Sequence, residues 1–235
     1  MPTLRATLSL IALLTVFATA LSAQSLVVIP IGSLVPAPSG TFTVEPPPPP
    51  FGGYQSYDTT GNILFGSTVS VSGTLAGYPT IHNPAFLADG NYGNGRSWIG
   101  NSANSWIQFD LPATFTFDSV LFGRDRVNVG STYNDRDPGQ FTVQVFSAGL
   151  WSTVFDSSTL APSFNGLING TDTLKAVFAS PVTGEKVKLT FANNGAAIDE
   201  VAIIAIPEPS TYAAIFGLLT LGLVQIRRFR QKSLA

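Results

Sequence analysis

The chain has 235 residues, of which 45% are hydrophobic and 11% are charged, and its formal net charge is −2 at pH 7. Nucleic-acid binding needs a cationic surface, so this balance argues against a nucleic-acid partner. There is no cysteine and only one histidine, His82. Disulfides and cysteine catalysis are therefore excluded, and a Ser-His-Asp triad would have to use His82, which lies in no nucleophile-elbow context.

The N-terminus has the layout of a secretory signal peptide. Arg5 supplies a positive charge, residues 8–17 form an apolar stretch, and small residues follow. We predict that residues 1–23 form the signal peptide, with cleavage after Ala23, although Ala18-Thr19-Ala20 also fits the small-x-small rule. A permanent N-terminal anchor is disfavoured because the apolar run is too short.

Residues 24–52 are predicted to be a proline-rich linker. Five consecutive prolines, Pro46 to Pro50, cannot form a helix or a central strand and favour a stiff polyproline II conformation. The apolar residues 26–29 leave two alternatives open, since they either add a strand to the following domain or are poorly ordered.

Residues 53–206 show the period of β-strands. Apolar side chains alternate with polar ones, and turns rich in Gly, Asn and Asp separate the segments, without any sustained helical period. We therefore predict one all-β domain, a jelly-roll β-sandwich of about eight antiparallel strands. The predicted strands are residues 67–71, 107–111, 115–122, 141–145, 153–155, 174–178, 187–191 and 197–204.

The densest local motif in this domain is Asp89-Gly90-Asn91, at the start of a stretch rich in Gly and Asn. An Asp among such residues offers a carboxylate and turned-in carbonyl groups, which are the ligands of a hard cation such as calcium. The spacing is not that of an EF-hand, and a bare Asp-Gly-Asn is usually only a turn. Both interpretations stay open at this level.

A wider set of motifs follows in a fixed order. It comprises Asp89-Gly90-Asn91, Ser97-Trp98, residues 105–111, 117–120, 141–145 and 151–154, Val187-Lys188-Leu189 and Ile198-Asp199-Glu200-Val201. From about residue 69 to residue 204, this order resembles the discoidin family, also called the coagulation-factor type C domain. The resemblance implies a galactose-binding-like jelly roll and membership of a group that includes many carbohydrate-binding modules.

The resemblance also implies a structural calcium ion. In carbohydrate-binding members, the Asp of the Asp-Gly motif, nearby carbonyls and a Glu of the last strand hold the ion. The positions carried over are the side chains of Asp89 and Glu200, the main-chain carbonyls of Phe86 and Asn91, and Asn94 or Ser97 at the place of the family's threonine. One departure is that Trp98 comes about two residues later than the family's tryptophan.

A loop between two predicted strands is the expected ligand surface. Sugars are bound by fork-shaped donors, amides and an aromatic platform, and the loop contains all three types. Its candidate ligand residues are Arg124, Asp125, Arg126, Tyr133, Asn134 and Arg136. The alternative is a solvated, salt-bridged loop. We expect Trp98, Trp106 and Trp151 to lie in the core, and His82 to satisfy a turn.

The C-terminal 29 residues, 207–235, carry three features in sequence. Pro207-Glu208-Pro209 comes first, an apolar run over 212–226 follows, and the cations Arg227, Arg228, Arg230 and Lys232 come last. The run gives about 22 Å of helix, which is short for a bilayer core of about 30 Å. This order resembles the PEP-CTERM sorting signal of Gram-negative bacteria. The resemblance implies recognition by an exosortase, removal of the tail, and delivery to the cell surface or the extracellular matrix; an ordinary membrane anchor is the alternative.

Without the two ends, residues 24–209 carry 7 basic and all 14 acidic side chains, a net charge of −7. Such a surface repels a polyanion at long range, so a glycan ligand is expected to be neutral or bridged by a cation. We expect no enzyme, because small jelly rolls of this kind are usually binding appendages. The two remaining hypotheses are an exported module that binds extracellular polysaccharide and a purely structural protein of the envelope or matrix.

Overall fold

The computed structural model describes residues 23–30, 55–56, 61–77, 82–92, 96–123, 136–160, 164, 172–206 and 217. These residues form an all-β sandwich of jelly-roll type with antiparallel sheets, which confirms the predicted fold class. The strands are β1 (Ser25–Pro30), β2 (Gln55–Ser56), β3 (Thr68–Val71), β4 (Asn91–Tyr92), β5 (Trp98–Ile99), β6 (Ser105–Gly123), β7 (Phe141–Ser147), β8 (Leu150–Asp156), β9 (Asp172–Phe191), β10 (Ala197–Ile198) and β11 (Glu200–Ala202).

Two long strands, β6 and β9, pair with each other over most of their length and build both layers of the sandwich. The first half of β6 and the second half of β9 lie in a layer with β3, β7 and β8. Their other halves lie in a layer with β11 and β1. The sequence predicted two separate strands in each of these regions, and this was wrong because the chain bends without breaking the ladder.

The bends coincide with register shifts in the β6–β9 ladder, between Asp110 and Phe115 and between Phe117 and Ser119. The first shift leaves residues 111–114 of β6 opposite one residue of β9, and the second leaves residues 178–181 of β9 opposite one residue of β6. In β6 the buried side chains lie at odd positions from Ile107 to Phe117 and at even positions at Val120 and Phe122.

The core consists of phenylalanine, valine and leucine side chains from the inner faces of both layers. Phe141 is 2% exposed and lies at its centre. Its ring centroid is 4.7 Å from that of Phe122 in the opposite layer and 5.3 Å from that of Phe155 on the neighbouring strand. These ring contacts hold the two layers together.

The N-terminal segment is part of the sandwich. Of the two alternatives for residues 26–29, the structure shows the strand, since β1 pairs antiparallel with the start of β9. The side chain of Gln24 adds two hydrogen bonds to β8: its Nε2 donates to the carbonyl of Val154 at 3.0 Å, and its Oε1 accepts from the amide of Asp156 at 3.2 Å.

Trp98 is fully buried, as expected, but Trp106 and Trp151 are not in the core. Both are half-buried and lie on the outer face of the sheet. The reason is strand parity: Trp106 alternates with the buried Ser105 and Ile107.

Several predictions concern residues outside the described ranges. These are the signal peptide up to residue 22, the motif Pro207, Glu208 and Pro209, and the apolar run 212–226 apart from Gly217. In the described part of the chain, no helix combines the length and the apolar character needed to cross a membrane.

Candidate functional site

A short loop, residues 83–91, brings the half-buried Asp89 next to the last strand of the domain. A single 3-10 turn, Pro84–Phe86, begins it, and the side chain of Asn83 caps this turn by accepting a hydrogen bond from the amide of Ala85 at 2.9 Å. Gly90 has a φ of +79°, which glycine adopts without strain. The Asp-Gly pair thereby turns its two main-chain amides in the same direction.

Those two amides meet Glu200, which is 1% exposed at the start of β11. Glu200 Oε2 accepts hydrogen bonds from the amide of Asp89 at 3.1 Å and from the amide of Gly90 at 3.0 Å. The loop is also tied to this strand by the carbonyl of Leu87, which accepts from the amide of Val201 at 2.8 Å. The other oxygen of Glu200, Oε1, is buried and has no hydrogen-bond partner.

The Asp89 carboxylate has partners on both oxygens. Its Oδ1 accepts from the amide of Asn91 at 2.9 Å, and its Oδ2 lies 3.3 Å from Arg96 Nη1. The Arg96 guanidinium lies over the ring of Phe86, 4.9 Å from its centroid. Arg96 therefore supplies one positive charge beside Asp89.

The surroundings of both acids disfavour their charged forms and raise their pKa values. Burial, and next the negative charge of Asp89, raise the pKa of Glu200 well above its usual value. Burial also raises the pKa of Asp89, against the opposing effect of its hydrogen bonds and of Arg96. A buried carboxyl group with a second acid near it favours either its own protonation or a bound cation.

This chemistry fits a calcium ion. Calcium takes carboxylate and carbonyl oxygens, and the buried, unpartnered Oε1 of Glu200 is an acceptor that lacks a positive partner. Among the described residues, no three His, Asp or Glu side chains gather into a metal-binding group. A cation here would consequently need main-chain carbonyls in addition to Asp89 and Glu200, and Phe86 and Asn91 lie in the same loop.

The remaining predicted metal positions, Asn94 and Ser97, have no described contact with Asp89 or Glu200. The Oγ of Ser97 is 2.8 Å from Nδ1 of His82, and both residues are buried. The backbone of this region is joined as well, because the amide of Asn83 donates to the carbonyl of Ser97 at 2.9 Å. Asn94 lies outside the described residues.

The predicted ligand loop leaves the sheet next to Glu200. Gly123, the last residue of β6, is the register partner of Glu200, and its carbonyl accepts from the amide of Asp199 at 2.9 Å. At the other end, the carbonyl of Arg136 accepts from the amide of Ala197 at 3.0 Å. Both ends of the loop are thus fixed to the segment 197–200.

Of the six candidate ligand residues, the structure describes Arg136 alone; Arg124, Asp125, Arg126, Tyr133 and Asn134 lie outside the described ranges. Arg136 is half-buried against Gly195, where a Cβ atom would lie 2.6 Å from Nη1. A glycine at position 195, with φ of +71°, therefore makes room for this guanidinium.

Sequence reasoning missed the surface around Trp106 and Trp151, although a signal was available for Trp106. This tryptophan alternates with the buried Ser105 and Ile107, so alternation indicates an outward orientation, which its size and apolar character had argued against. Trp151 has the same parity as the buried Phe155 of its strand, and it lies on the outer face because a register shift at Val154 separates the two.

No protein-family model matches the chain, and no curated protein matches it. Solved structures of similar fold include a module of CpGH89 from Clostridium perfringens in complex with GalNAc-beta-1,3-galactose. The two chains are 10% identical, with a TM-score of 0.47, and the match covers 61% of this chain and 98% of that one. Another is the family 32 carbohydrate-binding module of NanJ from C. perfringens in complex with galactose, with 14% identity, a TM-score of 0.47, and coverage of 60% and 95%. A third is the module CBM32 of AlyQ in complex with 4,5-unsaturated mannuronic acid, with 20% identity, a TM-score of 0.40, and coverage of 58% and 93%. The likeness to all three concerns the fold.

Proposed function

We propose that this protein is an exported, non-catalytic carbohydrate-binding protein of the cell surface or extracellular matrix. The observation that carries this proposal is the anchoring of Gly123 and Arg136, the two residues that flank 124–135. Their carbonyls accept hydrogen bonds from the amides of Asp199 and Ala197 in the β-sandwich. A loop with arginine, tyrosine and asparagine side chains on a fixed base suits the recognition of sugar hydroxyl groups.

The ligand is an extracellular polysaccharide. In this proposal Arg124, Arg126 and Arg136 donate to sugar oxygens, Asp125 and Asn134 complete the hydrogen bonding, and Tyr133 stacks on a sugar ring. The packing of Arg136 against Gly195 supports this role for its guanidinium.

A structural calcium ion supports the base of this loop. Asp89 and Glu200 provide the side-chain oxygens, Phe86 and Asn91 provide carbonyl oxygens, and Asn94 or Ser97 completes the set. The ion would neutralise the buried Glu200 carboxylate, which shares its segment with the anchor points of the loop. Its role in this proposal is stabilisation.

A binding role also agrees with the hydrogen bonds that Asp89, Glu200 and His82 make within the fold. The carboxylates of Asp89 and Glu200 bond the main chain of one loop, and His82 bonds Ser97. These hydrogen bonds stabilise the structure of the loop and of its neighbours.

The two ends of the chain direct it to its destination. Residues 1–23 initiate export, and Pro207-Glu208-Pro209 with the run 212–226 presents the precursor to an exosortase after transient insertion in the inner membrane. Removal of residues 207–235 then releases the domain to the surface or matrix.

The test is affinity gel electrophoresis of the purified full chain in gels that contain the host's own extracellular polysaccharide. The wild-type chain should be retarded. A double variant, Arg124→Ala with Arg126→Ala, and the single variant Arg136→Ala should each migrate faster than wild type. Lys175→Ala is the matched control, because Lys175 is a half-buried cation on β9 outside this loop. Absence of retardation in the wild type would favour a purely structural envelope protein.

A further inference from the structure

A flat aromatic surface covers the outer face of the layer formed by β6, β9, β7 and β8; we call it the tryptophan face. Three rows of side chains cross these four strands in register, and none of them is fully buried. In strand order the rows are Trp106, Thr190, Thr142 and Asp156; Gln108, Lys188, Gln144 and Thr153; and Asp110, Lys186, Phe146 and Trp151.

Lys188 lies at the centre of the tryptophan face between two indole rings. Its Nζ is 4.4 Å from the ring centroid of Trp151 and 5.3 Å from that of Trp106. The two centroids are therefore no farther apart than the sum of these distances, which a short oligosaccharide can bridge. Phe146 extends the aromatic surface, with its centroid 5.3 Å from that of Trp151.

The charged side chains of the tryptophan face differ in whether they have partners of opposite charge. Asp110 accepts from Lys186 Nζ at 2.9 Å and from Gln108 Nε2 at 2.8 Å, so both of its oxygens are engaged. By contrast, Lys188 has no carboxylate partner among the described residues. An ammonium group between two aromatic rings thus keeps donors for an external anion.

A hollow continues the first row of the tryptophan face. It is a shallow cavity of about 230 Å³, and its polar lining residues are Asn104, Gln140, Thr142, Asp156, Ser158 and Thr190. Asp156 Oδ1 accepts from the amide and the hydroxyl of Ser158 at 2.9 and 2.6 Å. Amide, hydroxyl and carboxylate groups beside an aromatic platform are the groups that bind sugar hydroxyls.

We propose that the tryptophan face is a second glycan-binding site, specific for a polysaccharide that carries carboxylate groups. Sugar rings stack on Trp106 and Trp151, a carboxylate of the ligand pairs with Lys188 Nζ, and ring hydroxyls enter the hollow beside Thr142 and Thr190. This site is separate from the loop 124–135 and shares with the proposed function only the class of ligand. It also differs from the neutral ligand that the net charge alone suggests, since charges farther away than about 8 Å are largely screened at physiological ionic strength.

The experiment measures binding of the full chain to two matched probes by affinity gel electrophoresis. The probes are polygalacturonate and the same polymer after chemical reduction of its carboxyl groups. We expect retardation by polygalacturonate and about tenfold weaker retardation by the reduced polymer, as a charge-assisted hydrogen bond provides.

Two variants of the tryptophan face and two controls assign the site. Lys188→Met, which keeps an apolar side chain between the rings, should weaken binding of polygalacturonate about tenfold, and Trp151→Ala should weaken both probes. Lys175→Met removes a cation from β9 in the other layer, and Phe65→Ala removes an aromatic ring that is 44% exposed. Both controls should bind like wild type, and thermal unfolding of all variants checks that they fold.

The outcomes separate this site from the loop site. Loss of polygalacturonate binding in Lys188→Met but not in Arg124→Ala with Arg126→Ala supports the tryptophan face. The reverse pattern overturns it and leaves the loop site intact. Equal binding of both probes, no binding of either, or binding of anionic lipid vesicles in place of polysaccharide also overturns it.

Discussion

Glu200 Oε2 accepts hydrogen bonds from the main-chain amides of Asp89 and Gly90, at 3.1 and 3.0 Å, across more than 100 residues of sequence. This contact ties a loop of the first half of the domain to its last strand. It also brings the charge of the partly exposed Asp89 near the buried Glu200 carboxyl, where a cation has a physical reason to bind.

Excess chelator should lower the melting temperature of the wild-type chain. A ligand that binds only the folded state at one hundred times its Kd stabilises that state by about 2.7 kcal/mol, and the chelator removes this contribution. Glu200→Gln and Asp89→Asn should each abolish the response, whereas Asp110→Asn, on the exposed face, should retain it. An unchanged melting temperature in the wild type would contradict the calcium proposal.

Stability should fall on the acidic side of the ordinary histidine pKa, and His82 should contribute to this fall. Burial, and next the charge of Arg136, lower the pKa of His82 from 6.5. Below 6.5 the unfolded chain takes up this proton more readily than the folded one, so stability is lost as the pH falls through that window. Replacing His82 by Asn or Gln should flatten the pH profile of the melting temperature there; profiles that superimpose on the wild type would rule out this contribution.

Phe141→Ala should destabilise the fold by about 3–5 kcal/mol, because it leaves a cavity between the two layers. Phe141 contacts rings of both layers, including Phe122 at 4.7 Å and Phe191 at 6.4 Å. Chemical denaturation measures the change. Phe65→Ala is the control and should stay within about 0.5 kcal/mol of wild type, since Phe65 is 44% exposed. A small effect at Phe141 would mean that the layers are not packed through it.

Removal of residues 24–30 should destabilise the domain, because β1 satisfies the edge of β9 and Leu26 packs against the core. The milder change Gln24→Ala removes two hydrogen bonds to β8, each contributing about 1 kcal/mol. Chemical denaturation should give the deletion variant a lower free energy of unfolding than Gln24→Ala, and both variants a lower one than wild type. Equal stability of all three would show that this strand is dispensable.

Intact-mass measurement of the protein released by its native host should show loss of residues 1–23 and of the residues beyond Pro207-Glu208-Pro209. The proposal rests on the sequence of this segment, because proline lacks an amide donor and disfavours the helical region for the residue before it. A host strain without the exosortase should keep the tailed form in its membranes. A released protein that still contains Arg227 would replace sorting with a permanent anchor.

Strand periodicity carried the prediction of the fold. The alternation at 141–145 and 187–191 gave strands with the correct buried faces, as the structure confirms. Periodicity did not predict that β6 and β9 are each one continuous strand, because Pro112 and Gly184 look like strand ends in sequence. In the structure Pro112 is exposed at a bend, where a missing amide costs little.

The candidate cation site depended on a different kind of information. Nothing in the local pattern connects Asp89 with Glu200, so their pairing came only from the resemblance to discoidin domains. The tryptophan face shows the opposite case. Parity indicated that Trp106 points outward, but its apolar character suggested a core position. For Trp151 the sequence held no such signal, because its outward position depends on the register shift at Val154.

The pairing of β1 with β9 has a consequence for the order in which the chain folds. The partner of β1, Asp172–Val177, follows it some 150 residues later: Ser25 pairs with Val177. The strand β11, which completes the other edge of the same layer, comes later still. Folding dominated by such distant contacts is slow, since loop closure precedes the stabilising pairing. Both edges of this layer are therefore completed only after β9 and β11 have been synthesised.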